Sequence, residues 1–155
     1  MRRLAIVLVA ACVLGFPPGA HADPVETDPD LAKRDEDYAA GRKAVEAKDW
    51  AEAVARLRKA EIRNPESADL HNFLGYSYRN LRQFEPAFRH YKRAIEIDPR
   101  HRGAHEYIGE AYLMTGDLPS AEKHLKALRE ICLLPCEELA DLEKAVAQYR
   151  KSGKR

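Results

Sequence analysis

A period of 34 residues runs through the middle of the chain and constrains its fold more than any other feature. Small or rigid residues recur at this interval in three registers: Gly41, Gly75 and Gly109; Ala53, Ala87 and Ala121; Pro65 and Pro99. An insertion of a single residue would destroy such a register, so the period indicates repeated structural units. Units of this size leave an apolar face uncovered unless they stack on their neighbours, and about three are needed to close a continuous core.

The stretch from His71 to Pro99 reads HNFLGYSYRNLRQFEPAFRHYKRAIEIDP and identifies the unit. It matches the pattern W-x₂-L-G-x₂-Y, A-x₃-F and P through these residues: Leu74, Gly75, Tyr78, Ala87, Tyr91 for Phe, and Pro99. Only the first position, His71, departs from the pattern. The chain therefore resembles the tetratricopeptide-repeat (TPR) family across residues 34 to about 135. The resemblance implies an all-α, right-handed superhelical solenoid in which small residues let paired helices approach closely.

The resemblance predicts three helix pairs closed by one further helix. The expected segments are a cleaved signal peptide (1–22), a flexible lead-in (23–33), TPR 1 (34–67), TPR 2 (68–101), TPR 3 (102–135), a capping helix (136–151) and a basic tail (152–155). The first helix is short of large apolar residues, as terminal repeats often are. In the third repeat, Leu133 replaces the closing proline and Leu128 replaces a small residue. We therefore expect the last helix of that repeat, over 119–133, to run longer or to leave at another angle.

The first 22 residues have the features of an export signal. Arg2-Arg3 are followed by an apolar run from Leu4 to Phe16 and by Ala20-His21-Ala22, which has the small-x-small form of a cleavage site. The apolar run is short for a membrane span. We expect cleavage near Ala22, a mature protein in the periplasm or secreted, and no integral membrane span afterwards. A lipoprotein anchored through Cys12 is the alternative, and a twin-arginine signal is a weaker one.

Two cysteines remain once Cys12 leaves with the signal, and Pro135 lies between them. In an exported chain, Cys132 and Cys136 are expected to form a structural disulfide that fixes the capping helix. A thiol redox or metal-handling pair, or two unpaired thiols, are the alternatives. The C-x₃-C spacing is neither the C-x-x-C of oxidoreductases nor the C-x-x-C-H of haem attachment.

Charge and motifs exclude several classes of function. Charged residues make up 33% of the chain, but the formal net charge is only +1, so there is no basic field for nucleic acid. The chain has no nucleophile motif, no phosphate-binding glycine loop and no metal-ligand spacing such as H-E-x-x-H. His71 and His105, one period apart, are expected to pack between helices. We therefore predict no enzyme activity, no cofactor and no metal site.

The resemblance places a binding groove on the concave face, which the first helix of each repeat lines in this family. The corresponding residues are Tyr38, Arg42, Val45, Glu46, Asn72, Tyr76, Arg79, Asn80, Glu106, Glu110, Leu113 and Met114. Tyr38 and Tyr76 are the expected anchors, with Arg42 and Arg79 available for an acidic group. The alternative is a solvated face without a partner. Tyr38 and Arg42 stand where chaperone-binding members carry the Lys and Asn of a carboxylate clamp, so that partner class is disfavoured.

The sequence therefore predicts a non-catalytic scaffold that binds a protein or peptide in its concave groove, in the bacterial cell envelope. Two other functions stay open. One is assembly of an envelope complex through the convex face, and the other is thiol redox or metal handling at Cys132 and Cys136. The sequence does not determine the partner, the pathway or the oligomeric state.

Overall fold

The structure is a computed structural model that describes residues 34–153. The predicted signal peptide, the lead-in and the last two residues of the basic tail lie outside the described residues. The described chain folds into seven helices: α1 (Glu36–Glu46), α2 (Trp50–Arg63), α3 (Ala68–Asn80), α4 (Phe84–Ile97), α5 (Arg102–Thr115), α6 (Leu118–Ile131) and α7 (Glu137–Lys151). Within this range, no helix combines the length and the apolar character needed to cross a membrane.

The helices pack in consecutive pairs, α1 with α2, α3 with α4, and α5 with α6, and each pair stacks on the next. Each first helix also contacts the first helix of the next pair, α1 with α3 and α3 with α5, and α7 closes the stack against α5 and α6. The prediction of an all-α stack of three helix pairs with a C-terminal helix is confirmed.

The turn inside each pair has the same backbone geometry. Lys48, Arg82 and Gly116 stand at equivalent positions and have positive φ angles of 58°, 61° and 88°. Gly116 adopts this left-handed conformation without steric cost, whereas a residue with a Cβ is strained there. In the first and third pairs, Asp49 and Asp117 follow and cap the next helix through their carboxylates. The three turns therefore share one conformation because they stand at the same position of the repeat. Only the third turn has glycine, the residue that adopts a positive φ without strain.

The glycine register has the predicted steric cause, with one difference. A Cβ on Gly41 would lie 2.6 Å from Leu57 of α2, and a Cβ on Gly75 would lie 2.6 Å from the Tyr91 ring of α4. A Cβ on Gly109 would instead lie 2.7 Å from Leu142 of α7. The third glycine thus admits the capping helix, which occupies the place where a residue of the paired helix was expected.

Ion pairs anchor the first helix, which has few large apolar residues. Arg63 at the end of α2 contacts Asp35 at 2.6 Å and Asp37 at 2.8 Å, and Arg56 contacts Asp37 at 3.3 Å. Asp35 also caps α1 by accepting from the backbone N–H of Asp37. Hydrogen bonding to Arg63 lowers the pKa of Asp35 to about 2. These ion pairs therefore join the start of α1 to the end of α2, in addition to the apolar contacts of Tyr38 and Ala44.

Of the two alternatives for the last helix of the third repeat, a longer helix or another angle, the longer helix is wrong. Helix α6 ends at Ile131 and has 14 residues, as α2 and α4 do. Leu128, which replaces a small residue of the pattern, is fully buried in a cluster with Leu142 and Val146 of α7. The larger side chain is accommodated because α7 packs over it, and the helix does not need to extend.

Candidate functional site

A row of aromatic rings crosses from the first repeat to the third along the first helices. Trp50 at the start of α2 meets Tyr76 of α3 edge-on, with ring centroids 5.6 Å apart. Tyr76 in turn lies 4.9 Å from Tyr107 of α5. Trp50, Tyr76 and Tyr107 are each partly exposed, so the row is not sealed inside the core. Aromatic surface of this kind is enriched where proteins bind partners.

Arg79 lies beneath this row and holds it in place. Its guanidinium carbon is 5.0 Å from the Tyr76 ring centroid and 5.3 Å from that of Tyr107. The same guanidinium forms an ion pair with Glu110, and Arg79 is only 8% exposed. The prediction that Arg79 is available to an acidic group on a partner is therefore corrected, because Glu110 already neutralises its charge. Its place between two rings makes Arg79 a support for the aromatic row.

A pocket of about 450 Å³ opens where α3, α5 and α7 meet. Its lining comprises Arg79, Asn80, Glu110, Leu113, Met114, Ala145, Gln148, Tyr149 and Ser152. Five predicted groove residues are thus brought together, and α7 with its C-terminal Ser152 supplies a wall that the sequence did not predict. The volume falls within the range of known ligand pockets, about 300–1,000 Å³. Met114 is 46% exposed at this pocket.

Two polar side chains at predicted groove positions, Asn72 and Glu106, are buried. Asn72 is 7% exposed, and its Oδ1 has no hydrogen-bond partner in the described part of the chain. Glu106 is 8% exposed; burial, with the carboxylates of Glu110 and Asp141, raises its pKa to about 8. A protonated Glu106 donates a hydrogen bond, and an ionised one attracts a cation. Of the two, Glu106 favours a partner that supplies a polar or basic group, whereas the Oδ1 of Asn72 is enclosed by the chain itself.

Tyr38 is not an anchor, which corrects the prediction from the sequence. Its side chain is 2% exposed and belongs to a core cluster with Leu57, Leu70 and Leu74. The ring meets Phe73 edge-on at 6.1 Å, and burial raises the pKa of Tyr38 to about 12. The reason is steric: the other core residues of α1 are small, so Tyr38 fills the space between the first two repeats.

The remaining first-repeat residues lie away from the pocket. Arg42 is exposed, with its guanidinium carbon 5.6 Å from the Phe73 ring centroid, and it forms no ion pair within residues 34–153. Glu46 is exposed, and Val45 packs against the first core cluster. Arg42 is thus a cation available at the N-terminal end of the face, opposite the carboxylates around Glu106.

Trp50, Tyr107 and the face of α7 belong to the site although the sequence did not assign them. Trp50 begins α2 directly after the turn that follows α1, and its ring contacts Tyr76 of the next repeat. Tyr107 directly follows the predicted groove residue Glu106, and Phe73 stands one period before it. That recurrence of aromatics beside a groove position was the available signal for Tyr107.

Cys132 and Cys136 form a disulfide, as the sequence predicts. Cys132 is the C-cap of α6 and Cys136 the N-cap of α7, so the bond joins the ends of two helices. Its location sets where α7 begins, and α7 supplies one wall of the pocket.

Comparison with known proteins agrees with this architecture. The family description Tetratricopeptide repeat matches residues 38–101 and 74–132. The chain is 33% identical over 90 residues to the small glutamine-rich tetratricopeptide repeat-containing protein 2 of Mycosarcoma maydis. That match covers 58% of this chain and 26% of the relative, so the chain spans about a quarter of the relative's length.

A solved structure shares the fold. It is the complex of the TPR2B domain of yeast Sti1 with pHsp70, which superposes with a TM-score of 0.71 at 21% identity. The alignment covers 77% of this chain and 98% of the Sti1 domain. Domains of this type are non-catalytic interaction modules. The chain belongs to the tetratricopeptide-repeat family.

Proposed function

We propose that the chain is a scaffold that binds an extended polypeptide segment along α1, α3 and α5, with one side chain inserted into the pocket beside α7. The observation that carries the proposal is the continuity of the aromatic row with that pocket through Arg79. Ring surface provides apolar contact at low entropic cost, and a pocket gives an anchor residue a defined place.

The distribution of charge favours one orientation of the bound segment. Arg42 lies exposed at the first repeat, whereas the carboxyl of Glu106 and the exposed carboxylate of Asp141 lie near each other at the third repeat and α7. A segment with an acidic group toward the first repeat and a basic group toward the third is complementary to this distribution. A basic side chain beside Glu106 also favours ionisation of that carboxyl, so its binding releases a proton at neutral pH.

The Sti1 domain is described in complex with pHsp70, but the likeness in fold does not extend that partner to this chain. Tyr38 stands at a position where chaperone-binding members carry a clamp lysine, and here it is buried in the core. Arg79 is likewise neutralised by Glu110. A partner recognised through a terminal carboxylate is therefore disfavoured, and an internal segment is favoured.

A display library of random peptides provides the test. Peptides selected on the wild-type chain should carry an aliphatic or aromatic anchor and a basic residue at a fixed distance from it. A parallel selection on Met114→Glu, which places a charge at the mouth of the pocket, should lose these peptides, whereas Arg89→Ala on the exposed side of α4 should retain them. Equal enrichment on Met114→Glu and on the wild type would overturn the proposal.

We further propose that the scaffold acts in the bacterial cell envelope after export. The support is the signal-like sequence of residues 1–22, and the disulfide is consistent with an oxidising compartment. Mass spectrometry of the protein isolated from the envelope should show a chain that begins at Asp23. A chain that begins with Met1 in the reducing cytoplasm would contradict export, and a lipid adduct on Cys12 would identify a lipoprotein.

Assembly through another surface is the second candidate, and exposed apolar residues favour it. Leu133 and Leu134 in the disulfide loop are 88% and 80% exposed, and Ile62 on α2 is 83% exposed. Sedimentation of the wild type and of the double variant Leu133→Ser, Leu134→Ser tests this function. Oligomers that dissociate in the variant would support assembly, and a monomer in both would exclude self-association through the loop.

A further inference from the structure

Three potential metal ligands converge between the first and second repeats, although the sequence predicts no metal site. They are Glu61 near the end of α2, His71 on α3 and His90 on α4. The fold brings them together because α3 stacks on α2 and pairs with α4. We propose that Glu61, His71 and His90 bind a Zn²⁺ ion that joins the two repeats. This proposal is independent of the peptide-binding function.

The three ligand atoms have the spacing that a single ion requires. His71 Nδ1 and His90 Nδ1 are 3.1 Å apart, and each lies 3.7 Å from Glu61 Oε1. The circle through three points at these distances has a radius of about 2.0 Å, which equals the usual Zn–N and Zn–O distances. An ion close to the centre of this triangle therefore lies within bonding distance of all three atoms, and a small approach of the side chains toward one another would give it tetrahedral coordination.

Neighbouring groups orient two of the ligands as the partners of a metal site do. The Nε2–H of His71 donates to the Pro65 carbonyl oxygen at 2.9 Å, so the Nδ1 of His71 carries a lone pair. That lone pair accepts a hydrogen bond from His90 Nδ1 at 3.1 Å, and an ion would replace the shared proton. Arg58 holds the other carboxylate oxygen of Glu61 at 2.5 Å, so that Oε1 faces the histidines. Zinc-bound histidines commonly donate to a backbone carbonyl, and bound carboxylates are commonly held by a second hydrogen bond.

The next repeat contains the same histidine pair without the carboxylate. His105 Nδ1 and His124 Nδ1 are 3.0 Å apart, and His105 Nε2 contacts the Pro99 carbonyl at 3.1 Å. One period after Glu61, however, the residue is Ile95. The histidine pair by itself is thus a repeated hydrogen bond between paired helices. What distinguishes the first pair is the carboxylate, which adds a third ligand and a negative charge.

Solvent reaches the site from the side of the carboxylate. The side chain of Glu61 is 19% exposed, whereas those of His71 and His90 are 6% and 9% exposed. Two histidines, one carboxylate and a water in the fourth position form a common Zn²⁺ ligand set. Ca²⁺ and Mg²⁺ prefer oxygen ligands, so two imidazoles disfavour them.

The experiment measures Zn²⁺ binding to the purified chain after removal of any affinity tag. Equilibrium dialysis of the wild type should give about one ion per chain, and Co²⁺ in its place should give the strong visible absorption of tetrahedral coordination. Glu61→Ile copies the residue of the next repeat, so it should fold normally and weaken Zn²⁺ binding about a hundredfold. Glu61→Gln, which keeps the shape and removes the charge, should also weaken it.

The next repeat provides a matched gain of function. Ile95→Glu places a carboxylate beside His105 and His124, with Lys92 in the position of Arg58, and should raise the stoichiometry to about two ions per chain. A wild type that binds no Zn²⁺, or equal binding by wild type and Glu61→Ile, would overturn the proposal. So would a folded Ile95→Glu chain that binds no second ion.

Discussion

Glu106 illustrates how the site and the stability of the fold are linked. Its carboxyl is buried among other carboxylates, and this environment raises its pKa to about 8 from an ordinary value of 4.5. The folded chain therefore holds a proton that the unfolded chain releases at neutral pH. The contribution of Glu106 to the free energy of unfolding is therefore largest below about pH 4.5, and it falls as the pH rises from about 4.5 to 8.

Replacement of Glu106 by glutamine removes this dependence. Glu106→Gln should be more stable than the wild type by about 1–2 kcal/mol near pH 8. The wild type loses stability there because its buried carboxyl either keeps a proton that water would take or carries a charge among other carboxylates, whereas glutamine stays neutral. The difference should shrink as the pH falls toward about 4.5. Urea unfolding of both chains across this range measures it, and parallel curves would contradict the assignment.

Gly75 tests the packing between paired helices. Its missing side chain leaves room for the Tyr91 ring, which a Cβ would approach to 2.6 Å. Gly75→Leu should lower the free energy of unfolding by about 1–3 kcal/mol through overpacking, despite the better helix propensity of leucine. Thermal melting measures the effect. Lys92→Leu, at an exposed position of α4, is the control, and equal melting temperatures for both variants would show that the contact is not tight.

The capping helix depends on the bond at its first turn. The disulfide joins Cys132 at the end of α6 to Cys136 at the start of α7. Its removal should lower stability by about 2 kcal/mol in the chain-entropy model, and the loss should be local because contacts in such stacks are between neighbours. Hydrogen exchange should become faster in α7 after reduction while α1 to α4 stay protected. Uniform acceleration in all helices would contradict this expectation.

The helices themselves could be predicted from the sequence, whereas two features of the site could not. The period places Gly75 and Tyr91 at a helix crossing because every repeat needs the same close approach. The period does not predict the burial of Tyr38. The other core residues of α1 are small, and no repeat precedes α1 within the described chain, so the Tyr38 ring fills the core instead of facing the groove. The packing of α7 is outside the period altogether, which is why Tyr149 and Gln148 were not predicted in the pocket.

The whole molecule combines a repeated scaffold with a site that only its last repeat and cap complete. The aromatic row depends on contacts between three successive repeats, from Trp50 through Tyr76 to Tyr107. The pocket needs α7 as well. The three repeats without the cap would therefore keep the row and lose the pocket, so the proposed binding site needs the complete stack.

Titration of a selected peptide against groove and control variants tests the binding function. Tyr76→Ala and Met114→Glu should each weaken the affinity about thirtyfold, which corresponds to about 2 kcal/mol for an interface hot spot. Arg89→Ala on the opposite side should bind as the wild type does, and circular dichroism should show all three variants folded. Loss of binding in Arg89→Ala, with wild-type affinity in Tyr76→Ala and Met114→Glu, would contradict the assignment of the site and favour assembly through the outer face.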